Sequence, residues 1–128
     1  MKIVTITKFF LLSTFLALHG TAAFGQFGLE SPFKWSESVS DGNLSVKVDV
    51  PEKHYLYAKS TELRLVDAKG TVVKPAETPK ITDYTDSMGE AQKIYPKGLW
   101  TWTFKLDGEA PYALKVDYLG CAKDPFVC

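Results

Sequence analysis

The chain has 128 residues, and its 15 basic and 15 acidic side chains cancel, so it carries neither the basic footprint of a nucleic-acid binder nor an acidic tail. A chain of this length makes one domain with a modest core. Two cysteines and His54, the one histidine after residue 25, fall short of a four-ligand zinc site without a carboxylate, so no metal and no cofactor is expected.

Residues 1–25 read as an export leader that is removed. Lys2 and Lys8 flank the start of the apolar run Phe9, Phe10, Leu11, Leu12, which continues through Phe15, Leu16, Ala17 and Leu18, and small residues follow at Thr21, Ala22, Ala23 and Gly25. That is the three-part pattern of a secretory signal peptide, and the run is too short to span a bilayer comfortably. Its removal takes two lysines, leaving residues 26–128 with a net charge of −2. Export also makes a disulfide chemically permissible.

Residues 32–35 read as an extended opening strand whose aromatics, Phe33 and Trp35, cover the core. Asp41-Gly42-Asn43 is a turn. Residues 44–50 then alternate at period two, with Leu44, Val46, Val48 and Val50 on one face, the clearest half-buried strand in the chain. Residues 54–57 and 61–66 are further extended pieces, and the turn Asp67-Ala68-Lys69-Gly70 leads into Thr71-Val72-Val73.

The middle, residues 74–97, holds Pro75, Pro79 and Pro96 and keeps neither a 2.0 nor a 3.6 period. It is expected to be a long irregular connection, of a kind that tends to be functional in compact domains. Strands return at residues 99–106 and 112–118, separated by the turn Asp107-Gly108-Glu109. No stretch after the leader has the pattern of a capped amphipathic helix. Many short strands with frequent turns predict an all-β fold, an immunoglobulin-like antiparallel β-sandwich.

The only cysteines, Cys121 and Cys128, flank a turn signal at Asp124-Pro125, where proline presets φ for the second position of a type I turn. A hairpin that sets Ala122 near Val127 brings Cys121 opposite Cys128, within reach of a disulfide. Closing so short a loop stabilises by about 2.5 kcal/mol at most. Two readings stand side by side: a structural staple, or a dithiol that cycles between oxidised and reduced forms. The first would make the domain a non-catalytic immunoglobulin-like binding module. The chain ends at Cys128 itself, so the domain is expected to be either truncated at its C-terminus or naturally short of the hairpin's second arm.

Other chemistry is thin. No nucleophile-elbow pattern frames a serine, no glycine-rich phosphate loop occurs, and His54 sits where a strand begins. Tyr55, Tyr57, Tyr84, Met88 and Tyr95 are candidates for an aromatic and apolar wall around the thiols. Asp83, Asp86 and Glu90 are acids that would raise a thiol pKa if they lay close.

The run Val116-Asp117-Tyr118-Leu119-Gly120-Cys121-Ala122, followed by Phe126 and Cys128, resembles the active-site hairpin of the amino-terminal periplasmic domain of the thiol:disulfide interchange protein DsbD. His54-Tyr55-Leu56-Tyr57-Ala58-Lys59 is similar to that family's Tyr-Leu-Tyr-x-Lys strand, and Asp86-Ser87-Met88-Gly89-Glu90 with Ile94-Tyr95 lies where the family has its cap loop. The resemblance implies a periplasmic domain of the immunoglobulin type with an active-site hairpin and a cap loop. It would pass reducing equivalents from a thioredoxin-like electron donor to thioredoxin-fold partners of the disulfide-isomerase or cytochrome-maturation type. It would touch the membrane only through a partner and bind no nucleic acid. By position, Cys128 would attack partner disulfides and Cys121 would resolve the mixed disulfide. Tyr55 and Tyr57 would line the site, and Asp86, Ser87, Met88 and Gly89 would cover it. The cap loop here has no phenylalanine, leaving Met88, Ser87 or Tyr84 to stand in.

Overall fold

The structure, a computed structural model, describes residues 4–10 and 31–128, without the side chains of residues 8–10. The described residues form twelve β-strands in three antiparallel sheets, with one short 3-10 turn at Ala58–Ser60.

The three-stranded sheet follows most directly from sequence. Strands β2 (Lys34–Ser40) and β3 (Asn43–Val50) are joined by Asp41 and Gly42, both at positive φ (51° and 74°). That is the two-residue turn whose twist suits a hairpin, and Asp-Gly is its strongest signal. Leu44, Val46, Val48 and Val50 all point inward and are buried, as their alternation predicts. On its other side β3 pairs along its whole length with β9 (Gly98–Lys105), and Trp35 of β2 stacks on Trp102 of β9.

The four-stranded sheet holds β1 (Val4–Phe10), β10 (Tyr112–Tyr118), β5 (Glu62–Val66) and β6 (Val72–Val73), in that order. Of the leader expected over residues 1–25, only Val4–Phe10 lies among the described residues. Its alternating Val4, Thr5, Ile6 and Thr7 suit an edge strand, and it pairs antiparallel with β10, burying Ile6 against the core.

The five-stranded sheet carries the site. Its order is β12 (Phe126–Val127), β11 (Gly120–Lys123), β4 (His54–Tyr57), β8 (Ala91–Tyr95) and β7 (Thr82–Thr85). β7 and β8 correct the expectation of an irregular middle: residues 82–95 form a hairpin paired from Thr82↔Ile94 to Thr85↔Ala91. Four- and five-residue strands with mostly exposed polar side chains leave little periodic signal. Ile94 and Tyr95, adjacent and both buried, face opposite sides of the sheet.

Alternation along this sheet divides its two faces. Leu56 and Tyr95 point into the main core shared by all three sheets, together with Val46, Leu65, Phe104, Leu114 and Val116. Tyr55, Tyr57, Ile94 and Cys121 point the other way and form a second buried cluster with Leu119, against which Tyr84 packs.

Candidate functional site

The cysteine hairpin arises where the chain leaves one sheet for another. β10 ends at Tyr118, Leu119 lies between the strands, and Gly120 begins β11 against β4. Leu119 O accepts the backbone N–H of Tyr57 at 3.0 Å, which splices the crossing into the second sheet. Gly120 is required by proximity: a Cβ there would stand 2.2 Å from the Phe33 ring and 3.0 Å from Leu56, closer than packed atoms come. The Gly-Cys pair therefore has a packing reason for its glycine.

β11 and β12 pair through Ala122↔Val127 and Lys123↔Phe126, the register expected from the sequence, and Cys121 is bonded to Cys128 with their Cα atoms 4.0 Å apart. The turn is tighter than expected. Asp124 and Pro125 alone connect the strands through a cis peptide bond, so proline takes the third turn position, as in type VI turns, rather than the second position of a type I turn.

The two sulfurs have opposite surroundings. Cys121 is 1% exposed and sits opposite Tyr55 of β4 within the second cluster. Cys128 is exposed and lines a cleft of about 520 Å³ bounded by Tyr57, Leu119, Phe126 and Val127 on the strand side and by Asp86, Met88, Glu90 and Gln92 on the side of the β7–β8 hairpin. Lys59 and Ser60 also line it.

Beneath Cys121 lies an aromatic floor. The Tyr55 and Tyr57 rings meet edge to face at 5.3 Å, their hydroxyls are 3.4 Å apart, and Tyr84 tilts onto Tyr55 at 5.1 Å. Burial, followed by the hydroxyl of Tyr57 and the nearby charges of Tyr57, Tyr84 and Asp86, pushes the Tyr55 phenol far above its ordinary value, so it stays neutral and keeps its proton. Lys123 spans this floor from β11, its ammonium 4.8 Å from the centre of the Tyr84 ring and 5.9 Å from that of Tyr55.

The turn between β7 and β8 is organised by Asp86. Its Oδ1 accepts the backbone N–H groups of Met88 and Glu90, each at 2.9 Å, and its Oδ2 accepts the Gln92 amide at 3.3 Å. The bond from Glu90 is the main cause holding the Asp86 carboxyl below the usual range; Gln92 and Met88 add to it, and partial desolvation opposes them. Gly89 takes φ 81°, a left-handed conformation that suits glycine. The turn thrusts Met88 outward, 79% exposed, at the rim of the cleft.

The candidate residues separate accordingly. Tyr57, Asp86 and Met88 line the cleft with Cys128; Tyr55 and Tyr84 form the floor by Cys121; Ser87 and Gly89 shape the turn and face solvent. Tyr95 is not part of the wall: it packs in the main core against Trp102 and Trp100. Asp83 pairs with Lys93 on the exposed face of the β7–β8 hairpin, and Glu90 reaches the cleft. His54 begins β4, its Nδ1 2.8 Å from Glu52 O and its ring edge-on to Phe33. Sequence reasoning missed Lys59, Gln92, Phe126 and Val127 in the cleft and Lys123 above the floor. Only the register of the cysteine hairpin could have placed the last three.

Comparison with known proteins adds three findings. Residues 28–128 match the family described as thiol:disulfide interchange protein DsbD, N-terminal. Among solved structures the chain resembles the reduced DsbD amino-terminal domain of Neisseria meningitidis, at 18% identity and a TM-score of 0.58, over 73% of this chain and 74% of that one. This likeness carries the immunoglobulin-like β fold. No curated protein matches.

Proposed function

The chain belongs to the family of the amino-terminal domain of the thiol:disulfide interchange protein DsbD, and on that premise we propose that Cys128 is its attacking thiol and Cys121 its resolving thiol. Thiol:disulfide interchange is the family's activity, which sets aside the reading of a mere staple. The observation that carries the assignment is the asymmetry of the pair, with Cys128 open to the cleft and Cys121 sealed against Tyr55.

In the reduced domain the Cys128 thiolate attacks one sulfur of a partner disulfide. A Cys128–partner bond forms and the partner's second sulfur leaves as a thiolate. Cys121, deprotonated, then attacks Cys128 Sγ; the intramolecular bond forms and the partner's remaining sulfur departs. Two electrons pass to the partner, and the two protons lost by the cysteines are balanced by the two its thiolates take up. A donor dithiol reverses the sequence and resets the domain. Cys121 is sealed from solvent, so it meets solvent oxidants slowly and acts once the mixed disulfide is formed beside it.

The finer reading is a protein-disulfide reductase in the periplasm, with residues 1–25 acting as the leader, whose removal takes β1 from the edge of β10, and residues 26–128 as the working domain. A thioredoxin-like protein supplies its electrons, and thioredoxin-fold proteins of the isomerase or cytochrome-maturation type accept them. Tyr55, Tyr57 and Tyr84 would line the site and the turn carrying Asp86, Ser87, Met88 and Gly89 would shield it. The exposed apolar side chains of Met88, Phe126 and Val127 around the cleft support a surface that a protein partner covers.

The test joins a potential to a trap. Equilibrating the protein with glutathione buffers should give a bridge reducible at periplasmic potentials, above the roughly −300 mV typical of structural disulfides. Cys121→Ala should accumulate mixed disulfides through Cys128, and Cys128→Ala should not. A bridge that resists reduction, or trapping through Cys121 instead, refutes the assignment.

A further inference from the structure

We propose that Lys123 is a positioning residue, a clasp that joins the cysteine hairpin to the cap-bearing β7–β8 hairpin across the face of the sheet. The inference rests on the exchange reading above and goes beyond it by naming what holds the cap in place.

In the five-stranded sheet β11 and β7 are not neighbours, since β4 and β8 lie between them. Among the described residues a side-chain contact on the outer face links them. Lys123 shares that face with Cys121, two residues before it, and its side chain crosses above Tyr55 of β4 to place its ammonium 4.8 Å from the Tyr84 ring centre of β7. A cation over an aromatic face is held by the ring's quadrupole. Two rings lie within that range here, tilted against one another with centroids 5.1 Å apart. Among the described residues Lys123 has no ion-pair partner, so the rings are what its charge meets.

β7 depends on this contact. Thr82, Asp83 and Thr85 are exposed, and Tyr84 alone is half-buried, so β7 is fixed by its ladder to β8 and by the Tyr84 ring. Two residues beyond Tyr84 begins the Asp86 turn that carries Met88 to the cleft beside Cys128. Holding Tyr84 therefore holds the cap. The backbone N–H of Lys123 is itself tied to Lys53 O at 2.7 Å, which anchors the near end of the clasp to the start of β4.

The clasp and a simple charge effect predict opposite signs. Opening the bridge with dithiothreitol, which is oxidised to its cyclic disulfide as Cys121 and Cys128 are reduced, measures access to the sulfurs. Lys123→Met keeps the stem and deletes the charge, and Tyr84→Leu deletes the ring. Each should speed reduction about two- to fivefold, the range set by an exposed cation–π contact. Lys123→Arg should restore the wild-type rate, and the double variant should be no faster than the faster single one, because both remove the same contact. A slower Lys123→Met, as expected if the charge merely attracted the reagent's thiolate, overturns the clasp. So does a rate equal to wild type, while leaving the exchange reading intact. A wild-type bridge that dithiothreitol does not open sinks both.

Discussion

The molecule contains two buried apolar clusters that share strand β4 and differ in everything else. The larger draws on all three sheets and is built mainly from aliphatic side chains, with tryptophans, phenylalanines and tyrosines among them and Leu56 as the contribution of β4. The smaller lies on the outer face of one sheet, is built mainly from tyrosines around Cys121, and takes Tyr55 and Tyr57 from the same strand. A strand's period of two sends alternate residues to opposite faces, so one four-residue strand supplies Leu56 to the main core and Tyr55 and Tyr57 to the cluster around Cys121. The covers differ too. The larger cluster is closed by sheet packing, whereas the smaller has Tyr84 packed against it and the Lys123 ammonium over its rings.

If the two clusters are separable, damage to one should spare the other. The largest effect is expected from Leu56→Ala, which empties a fully buried site in the main core and should cost about 2–5 kcal/mol, read from the urea midpoint. The folded fraction should exchange disulfides at the wild-type rate. A parallel fall in exchange rate would show that the site depends on core packing. Gly120→Ala is the sharper probe because it touches both sides of the sheet switch. Its new methyl would meet the Phe33 ring and Leu56, costing about 1–3 kcal/mol as overpacking does, and it would shift the reduction potential because Cys121 follows directly. Adding Phe33→Leu should recover part of the stability; no recovery would locate the strain elsewhere.

The same contrast explains what could be read from the sequence. β3 was legible because Leu44, Val46, Val48 and Val50 alternate beside an Asp-Gly turn, and both signals are local. The pairing of the cysteines was legible because a hairpin register is also local. β7 and β8 were not, since their identity as strands comes from pairing with each other and, for β8, with β4, rather than from their own pattern. Tyr84 and Tyr95 look equivalent in the sequence, yet strand parity sends one to the site and the other to the main core. Lys123 looks like a solvated charge next to a turn, and only the approach of the Tyr55 and Tyr84 rings to one another gives it a target. The site was visible where its chemistry is carried by rare residues and invisible where it is carried by common ones in uncommon places.

The smallest effect expected concerns the cover alone and can be read through pH. Asp86 ties the cap turn by accepting two backbone N–H groups and the Gln92 amide, and these bonds hold its carboxyl below the usual range, the bond from Glu90 first among them. The ionised form is thus the one the folded turn prefers. Its contribution is complete above the unfolded carboxyl value of about 3.9 and is lost as pH falls through the lowered folded value. Reduction of the bridge by a phosphine, which still acts in acid, should be slower in wild type than in Asp86→Asn near neutral pH, because the asparagine oxygen can accept the two backbone bonds only without charge and its NH2 cannot accept the Gln92 amide. The two rates should converge below about pH 4, and taking their ratio at each pH removes the reagent's own titration. A ratio that stays constant across this range would mean that the charge of Asp86 does not hold the cap, and that the turn is kept in place by Gly89 and the β7–β8 ladder alone.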